Sequence, residues 1–361
     1  MAALPALSDP TIDALRVVAE QRGNAAPRRG YLGMSAIGDP CERKLWYGFR
    51  FAYRERFDAD TLWRFEDGHR SEDIMAVRLA AVPGVKIQTV DPRTGRQFAF
   101  VDLGGHFRGH ADGRIIGLVQ APATMHIWEG KATNEKKQAE LIKLKQQHGE
   151  KNALAHWDAN YYAQAVMYMA YGEETRHYLT CSSPGVRSMV GVRTETNLDE
   201  ARRLRTKAER IIYAAEPPPK LNESPAWYQC KWCSANALCH GPERAAVNCR
   251  TCAHATPEKD GDARWSCAFH KKAALTIEEQ QKGCDSHRYI PALLVKLGTP
   301  VDADPAANTI TYQTPSGKTF INGPHGPGSY PSDELRYVTE GMIGDEFTDS
   351  LRKDFDARVV G

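Results

Sequence analysis

Hydrophobic positions along the chain change their period several times, and each change marks an element. Between Pro10 and Gln21, Ile12, Leu15, Val17 and Val18 recur at helical spacing until the Gly/Arg/Pro-rich stretch 23–30 breaks the pattern. The spacing predicts a second helix from Lys44 to Phe51. A third, from Asp60 to Ala81, has Leu62, Phe65, Ile74, Val77 and Leu79 as its apolar positions. Residues 85–131 read instead as short β-branched and aromatic runs divided by turn signals. Val85–Val90, Phe98–Val101, His106–Val119 and Met125–Lys131 together predict an antiparallel meander. Helices at 134–148 and 157–171 follow, then an extended stretch over 176–193 and a charged helix at 198–215. Glu216-Pro217-Pro218-Pro219 ends that helix, because proline lacks an amide donor and restricts the residue before it. Cysteines then dominate up to residue 284, and 307–321 predict a hairpin turning on Pro315-Ser316-Gly317.

This order predicts an α/β (α+β) fold with a mixed central sheet flanked by helices, a small cysteine-rich knuckle and a short β-rich C-terminal extension. The segments are placed at 1–245, 246–291 and 292–361. Hydrophobic residues make up 42% and charged residues 25% of the 361, proportions that exclude a disordered or fibrous chain. With a net charge of +2, overall charge does not identify a partner, so any nucleic-acid face must be local. No apolar run approaches the roughly 18 residues of a membrane span, and Asp9 and Asp13 stand where a signal peptide needs apolar residues. Nine cysteines, clustered in C-x2-C pairs, favour metal ligation in a reducing compartment, hence the cytoplasm.

The clearest chemistry lies at the end of the meander. Glu129 and Lys131 alternate along one strand, so both project from the same face. The short connection 120–124 lets the preceding strand lie beside them and bring Asp112 to Glu129. Two such carboxylates suit Mg²⁺ or Mn²⁺, which lower the pKa of bound water and stabilise charge on phosphoryl oxygens. Lys131 supplies a compact positive charge for the attacking water or the developing phosphorane. Glu72, with His69 as second choice, would complete the metal shell from the helix at 60–81. A lone E-x-K is common and by itself denotes only solvated charge. The ordered set says more: a helix with Gly68 and Glu72, Asp112 on a strand, then Glu129-x-Lys131, then Gln164-x-x-x-Tyr168 one helical turn apart on one face.

That set resembles the RecB-like branch of the PD-(D/E)xK nucleases, which have a restriction-endonuclease-like core. Cys230-x2-Cys233-x5-Cys239 offers three thiolates, with Cys41 as candidate fourth, for structural zinc or an iron–sulfur cluster. One cysteine before the core and C-x2-C-x5-C after it is similar to the CRISPR-associated and phage-type exonucleases, in which the four hold a [4Fe–4S] cluster. The resemblance spans about residues 31–240, and Glu72 stands where that family typically has histidine. A second set, Cys249, Cys252, Cys267 and Cys284, has the loop lengths of a zinc site. Four cysteines around Zn²⁺ is the preferred assignment, with His254, His270 and His287 near enough in sequence to substitute. Cys181 has no partner at ligand spacing and reads as a buried hydrophobe.

Lys136, Lys137, Lys143, Lys145 and Lys151 follow the catalytic strand and would bind the phosphates of a threading strand, or else form a solvated face. Arg202, Arg203, Arg205, Lys207 and Arg210 carry the same two readings. Trp46, Tyr47, Phe51 and Tyr53 are either core residues or base-stacking platforms. The resemblance implies a metal-dependent DNA exonuclease acting on single-stranded ends, 5′→3′ being the preferred polarity, in phage or bacterial recombination, end processing or CRISPR spacer acquisition. A recombination or replication protein would be its partner. The competing readings are a non-catalytic DNA-binding scaffold and a zinc-containing nucleic-acid adaptor of the same fold.

Overall fold

Asp9 opens the first helix, α1 (Pro10–Ala25), by accepting the amides of Thr11 and Ile12, with Pro10 at the first helical position where its missing donor costs nothing. The computed structural model describes residues 9–361. Two further helices precede the sheets: α2 (Glu42–Phe49) and α3 (Ala59–Ala80), the latter capped by Asp58, which accepts the Thr61 amide. None of the side chains of α1 is buried, so its apolar residues lie on a surface helix packed on α3.

The β-region is two sheets. A three-stranded sheet runs β1 (Leu32–Gly33), β4 (Phe107–Ala111), β3 (Phe98–Asp102), with β1 parallel to β4. A five-stranded sheet runs β2 (Lys86–Gln88), β5 (Gly113–Ile116), β6 (His126–Ala132), β7 (Arg176–Ser182), β8 (Met189–Glu195). Its pairs are antiparallel except β6 and β7. The helices α4 (Glu135–His148), α5 (Ala153–Trp157) and α6 (Ala159–Gly172) make the crossover that a parallel pair requires. The charged helix α7 (Leu198–Tyr213) then packs on α6 and α2.

The expected meander is therefore not the topology. The run His106–Val119 breaks at Asp112, and its two halves enter different sheets. Alternation of side chains persists across the break, so periodicity alone showed one long strand.

After α7 come the short helices α8 (Tyr228–Lys231) and α9 (Asn236–Cys239), a small hairpin of β9 (Ala255–Pro257) and β10 (Trp265–Cys267), and α10 (Ile277–Lys282). Four strands, β11 (Thr299–Asp304), β12 (Thr309–Gln313), β13 (Thr319–Asn322) and β14 (Ser329–Tyr330), form a last sheet followed by α11 (Ser332–Leu335) and α12 (Glu346–Phe355). The predicted hairpin is β12–β13, with Gly317 in the left-handed region its turn requires.

Among the described residues the largest of three hydrophobic clusters joins these parts. It contains Leu32, Trp46, Phe107 and Ile211 and continues without a break through Trp265, Tyr289, Tyr312, Phe320 and Tyr330. Trp265 packs on Phe49 and His106, and the buried Arg250 lies over the rings of Phe49, Phe51 and Trp265. Arg250 donates to the Phe49 and Gly30 carbonyls and to Gln280, tying the cysteine-rich segment to the N-terminal helices. Among the aromatic candidates, Trp46, Tyr47 and Phe51 are core residues, and the Trp46 indole donates to the Ala214 carbonyl. No helix among the described residues is long and apolar enough to cross a membrane.

Candidate active site

The strand β6 places Glu129 and Lys131 toward α6, while Gly130 between them faces α3. A Cβ at Gly130 would lie 3.2 Å from Cγ of Glu72 and 3.0 Å from Cε of Met75, so the missing side chain is what lets α3 bring Glu72 close to the strand. On the other face the Lys131 ammonium is 2.5 Å from Oε1 of Glu129, and the Gln164 amide donates to that same oxygen at 2.6 Å. Asp112, in the bend between β4 and β5, accepts the Gly130 amide at 3.0 Å. Tyr168 accepts the His110 amide through its hydroxyl, in the space that Gly109 leaves by lacking a Cβ.

Glu129 is 2% exposed, and its second oxygen, Oε2, has no hydrogen-bond partner. Burial, with Asp112 next in weight, pushes the Glu129 carboxyl up to about 8, and burial and Asp112 push Glu72 up to about 7. For Lys131 burial acts to lower the pKa, but Glu129 and Asp112 outweigh it and hold the ammonium above its usual range. Burial and Glu129 together raise the Tyr168 phenol. Three carboxyl groups thus crowd one lysine, which keeps part of them protonated, and a bound cation would let them ionise. The unpartnered Glu129 oxygen is the donor left for it.

Among the described residues no three His, Cys, Asp or Glu side chains form a group that could hold a metal ion. Glu72, Asp112 and Glu129 are therefore electrostatic neighbours here and do not converge on one point. His69 is exposed on α3. Gln164 is brought to Glu129 directly. Tyr161 was missed by sequence reading, yet its ring lies 5.4 Å from the Lys131 ammonium. Its spacing of three residues before Gln164 carried the signal, since that places it on the same helical face.

The basic segments are mostly consumed by the fold. Lys137 pairs with Asp158, Lys145 donates to the Gly191 carbonyl and Lys151 pairs with Glu195. Lys136 and Lys143 are exposed. In α7, Arg202, Arg203, Arg205 and Arg210 pair with Asp199, Glu200, Asp102 and Glu42, and Lys207 is buried against the Ile37 and Asp39 carbonyls. Lys207 ties α7 to the core, whereas Arg202, Arg203 and Arg210 make ion pairs at the solvent-exposed surface.

Both cysteine sets are gathered in space. Cys41, at the N-cap of α2 and accepting the Lys44 amide, lines one narrow cleft of about 20 Å³ with Cys230, Cys233 and Cys239. Cys249, Cys252, Cys267 and Cys284 line a cavity of about 430 Å³. Burial and then the neighbouring cysteines raise Cys249 to about 12, and burial raises Cys252 to about 11. His254 bonds Asn308 and the buried His287 bonds Thr251, whereas Nε2 of His270 lies 3.5 Å from the Cys284 sulfur. The expected knuckle is therefore a hollow ringed by thiols and not a closed metal site, since uncharged thiols have nothing to draw their sulfurs together. Cys181 is buried, as its isolation in sequence suggests.

Neither known family profiles nor curated protein sequences match the chain. Among solved structures it is similar to SSO0001, at 15% identity and TM-score 0.37 over 64% of this chain and 96% of that one. It is also similar to LHK-Exo, an alkaline exonuclease from Laribacter hongkongensis, at 16% and 0.36 over 53% and 90%. A phage related exonuclease from Haemophilus somnus 129PT aligns at 11% and 0.35 over 52% and 96%.

Proposed function

We propose that the protein is a metal-dependent deoxyribonuclease that hydrolyses phosphodiester bonds, with single-stranded DNA ends as substrate. The observation that carries this reading is the buried, unpartnered oxygen of Glu129 beside Asp112, with Lys131 and Gln164 fixed on the other oxygen. Structural ion pairs rarely leave a buried carboxylate oxygen bare, because its desolvation goes uncompensated.

Asp112 and Glu129 would hold Mg²⁺ or Mn²⁺, with Glu72 completing the shell only by moving in from α3, and the ion would supply Lewis-acid stabilisation of phosphoryl charge and a more acidic bound water. Lys131 keeps its proton at Nζ and sets a positive charge where negative charge grows on the phosphate. Gln164 holds the Glu129 side chain in one rotamer, and Tyr161 covers the lysine. The exposed Lys136 and Lys143 are the phosphate contacts we assign to the incoming strand. Cys41, Cys230, Cys233 and Cys239, which line one cleft, are the thiols we assign to a [4Fe–4S] cluster, on the resemblance of their spacing. The test is incubation of end-labelled single- and double-stranded DNA with Mg²⁺, Mn²⁺ or chelator, alongside Lys131→Ala and Asp112→Ala. Metal-dependent shortening of single strands, lost in both variants while DNA binding persists, is expected; wild-type rates in either variant would remove the assignment.

A further inference from the structure

The outer face of the three-stranded sheet gathers positive charge that the chain only partly neutralises. Leu32 in β1 is buried in the core, so the residues alternating with it, Tyr31 and Gly33, lie on the opposite face. On the neighbouring strand β4, Arg108 is the register partner of Gly33 and His110 follows two positions on, while Phe107, Gly109 and Ala111 are buried. One face therefore carries Tyr31, Arg108 and His110 together. The Arg108 guanidinium is 5.6 Å from the centre of the Tyr31 ring, and the His110 and Tyr31 ring centres are 6.2 Å apart.

Arg29 joins the group from the segment before β1. Its neighbour Arg28 is anchored, donating to the Phe51 and Tyr53 carbonyls with its guanidinium over the Phe51 ring. That anchor fixes where Arg29 emerges. Nη1 of Arg29 lies 3.9 Å from where a Cβ of Gly33 would stand, which sets the guanidinium over β1 beside the strand that carries Arg108. Burial, and after it the charges of Arg29 and Arg108, hold the His110 imidazole below its usual pKa, so both cations act on one ring. Arg29 is exposed and pairs with no acid among the described residues, whereas Arg108 donates to the Gly105 carbonyl and pairs with Asp262. The arginines of α7 differ, since each of them meets an acid of the chain. Like charges gathered at a surface repel, and a bound anion relieves that repulsion.

The face also leads to the active site. β4 ends one residue before Asp112, so the backbone of His110 lies about 7 Å along the chain from that of Asp112. A polyanion with unpaired bases fits this set, with phosphates for the guanidinium groups and a base for the Tyr31 ring.

We propose that Arg29, Tyr31, Arg108 and His110 form the face that receives the single strand leading to Asp112, with the arginines on its phosphates and Tyr31 stacked on a base. The proposal takes its ligand from the nuclease reading, and the experiment separates the two. Binding of a labelled oligothymidine is measured against salt in chelator, with Mn²⁺-dependent cleavage of the same oligomer alongside, for the wild type, Arg29→Ala, Tyr31→Ala and Tyr31→Phe. Arg29→Ala is expected to weaken binding about tenfold and to flatten the salt slope by about 0.7, the share of one single-strand phosphate contact. Tyr31→Ala is expected to weaken binding about tenfold with the slope unchanged, and Tyr31→Phe to restore it, because stacking needs the ring and not the hydroxyl. Wild-type affinity and slope in Arg29→Ala, with the oligomer still bound and cut by the wild type, would overturn this face and leave the nuclease reading standing. A wild-type protein that neither binds nor cuts the oligomer would overturn both.

Discussion

The two cysteine sets offer the same four donors and differ in how the chain holds them. Cys41 is joined to Cys230, Cys233 and Cys239 across the whole α/β core, yet the segment carrying the latter three is short helices and turns. Cys249 to Cys284 are close in sequence, but Cys252 and Cys267 are paired in β-bridges, and their surroundings are wedged into the main core by Trp265 and Arg250. Separation in sequence is therefore a poor guide to mechanical independence. The set drawn from distant parts of the chain is loosely framed, and the set close in sequence shares its foundations with the main core.

The largest expected effect falls on the long loop. If a cluster ties Cys41 to the later cysteines, Cys233→Ser releases a closure whose chain-entropy contribution is about 5 kcal/mol. Calorimetry should then show a much lower melting temperature; an unchanged one would mean the ends are held by packing alone. Next comes Trp265→Ala, which empties a fully buried indole site and should cost about 3–5 kcal/mol. Its loss should lower one cooperative transition of the whole chain. Two separated transitions, with only residues 249–290 becoming protease-sensitive, would show instead that this segment unfolds on its own.

Smaller effects distinguish residues within the active site. Glu72→Ala should reduce Mn²⁺-dependent cleavage at least about tenfold, the cost of roughly 1.4 kcal/mol of stabilisation, while His69→Ala stays near wild type. A dead histidine variant beside an active glutamate variant would reverse the ligand assignment. Smallest, Lys136→Ala and Lys143→Ala should each weaken DNA binding a few-fold and lower its salt slope by about one. Lys145→Ala, whose ammonium is already used by the Gly191 carbonyl, should leave that slope unchanged, as a salt titration of binding would show.

Much of this was readable from residue order. The periods of α3, α4 and α7 and the alternation through β6 place their elements within a few residues. The E-x-K alternation and the helical spacing of Gln164 anticipate the contacts that Glu129 makes with Lys131 and Gln164. The missing information was long-range. Nothing local in Leu32-Gly33 marks a two-residue parallel strand, and nothing at Asp112 announces a change of sheet. The arginines of α7 looked available because their acids at Asp102 and Glu42 lie far away in sequence. The burial of Arg250 has no local signal for the same reason: its aromatic and carbonyl neighbours come from residues 30–51 and from 265.

The bond from the Gly130 amide to the Asp112 carboxylate has a spectroscopic use. Gly130 lies where β6 outruns its pairing with β5, so on that edge its N–H is held by a side chain in place of a neighbouring strand. A carboxylate drawn toward a cation must loosen or re-aim that bond. Hydrogen exchange and the nitrogen chemical shift of this one amide would then follow occupancy of the centre directly, even in variants that no longer cut DNA.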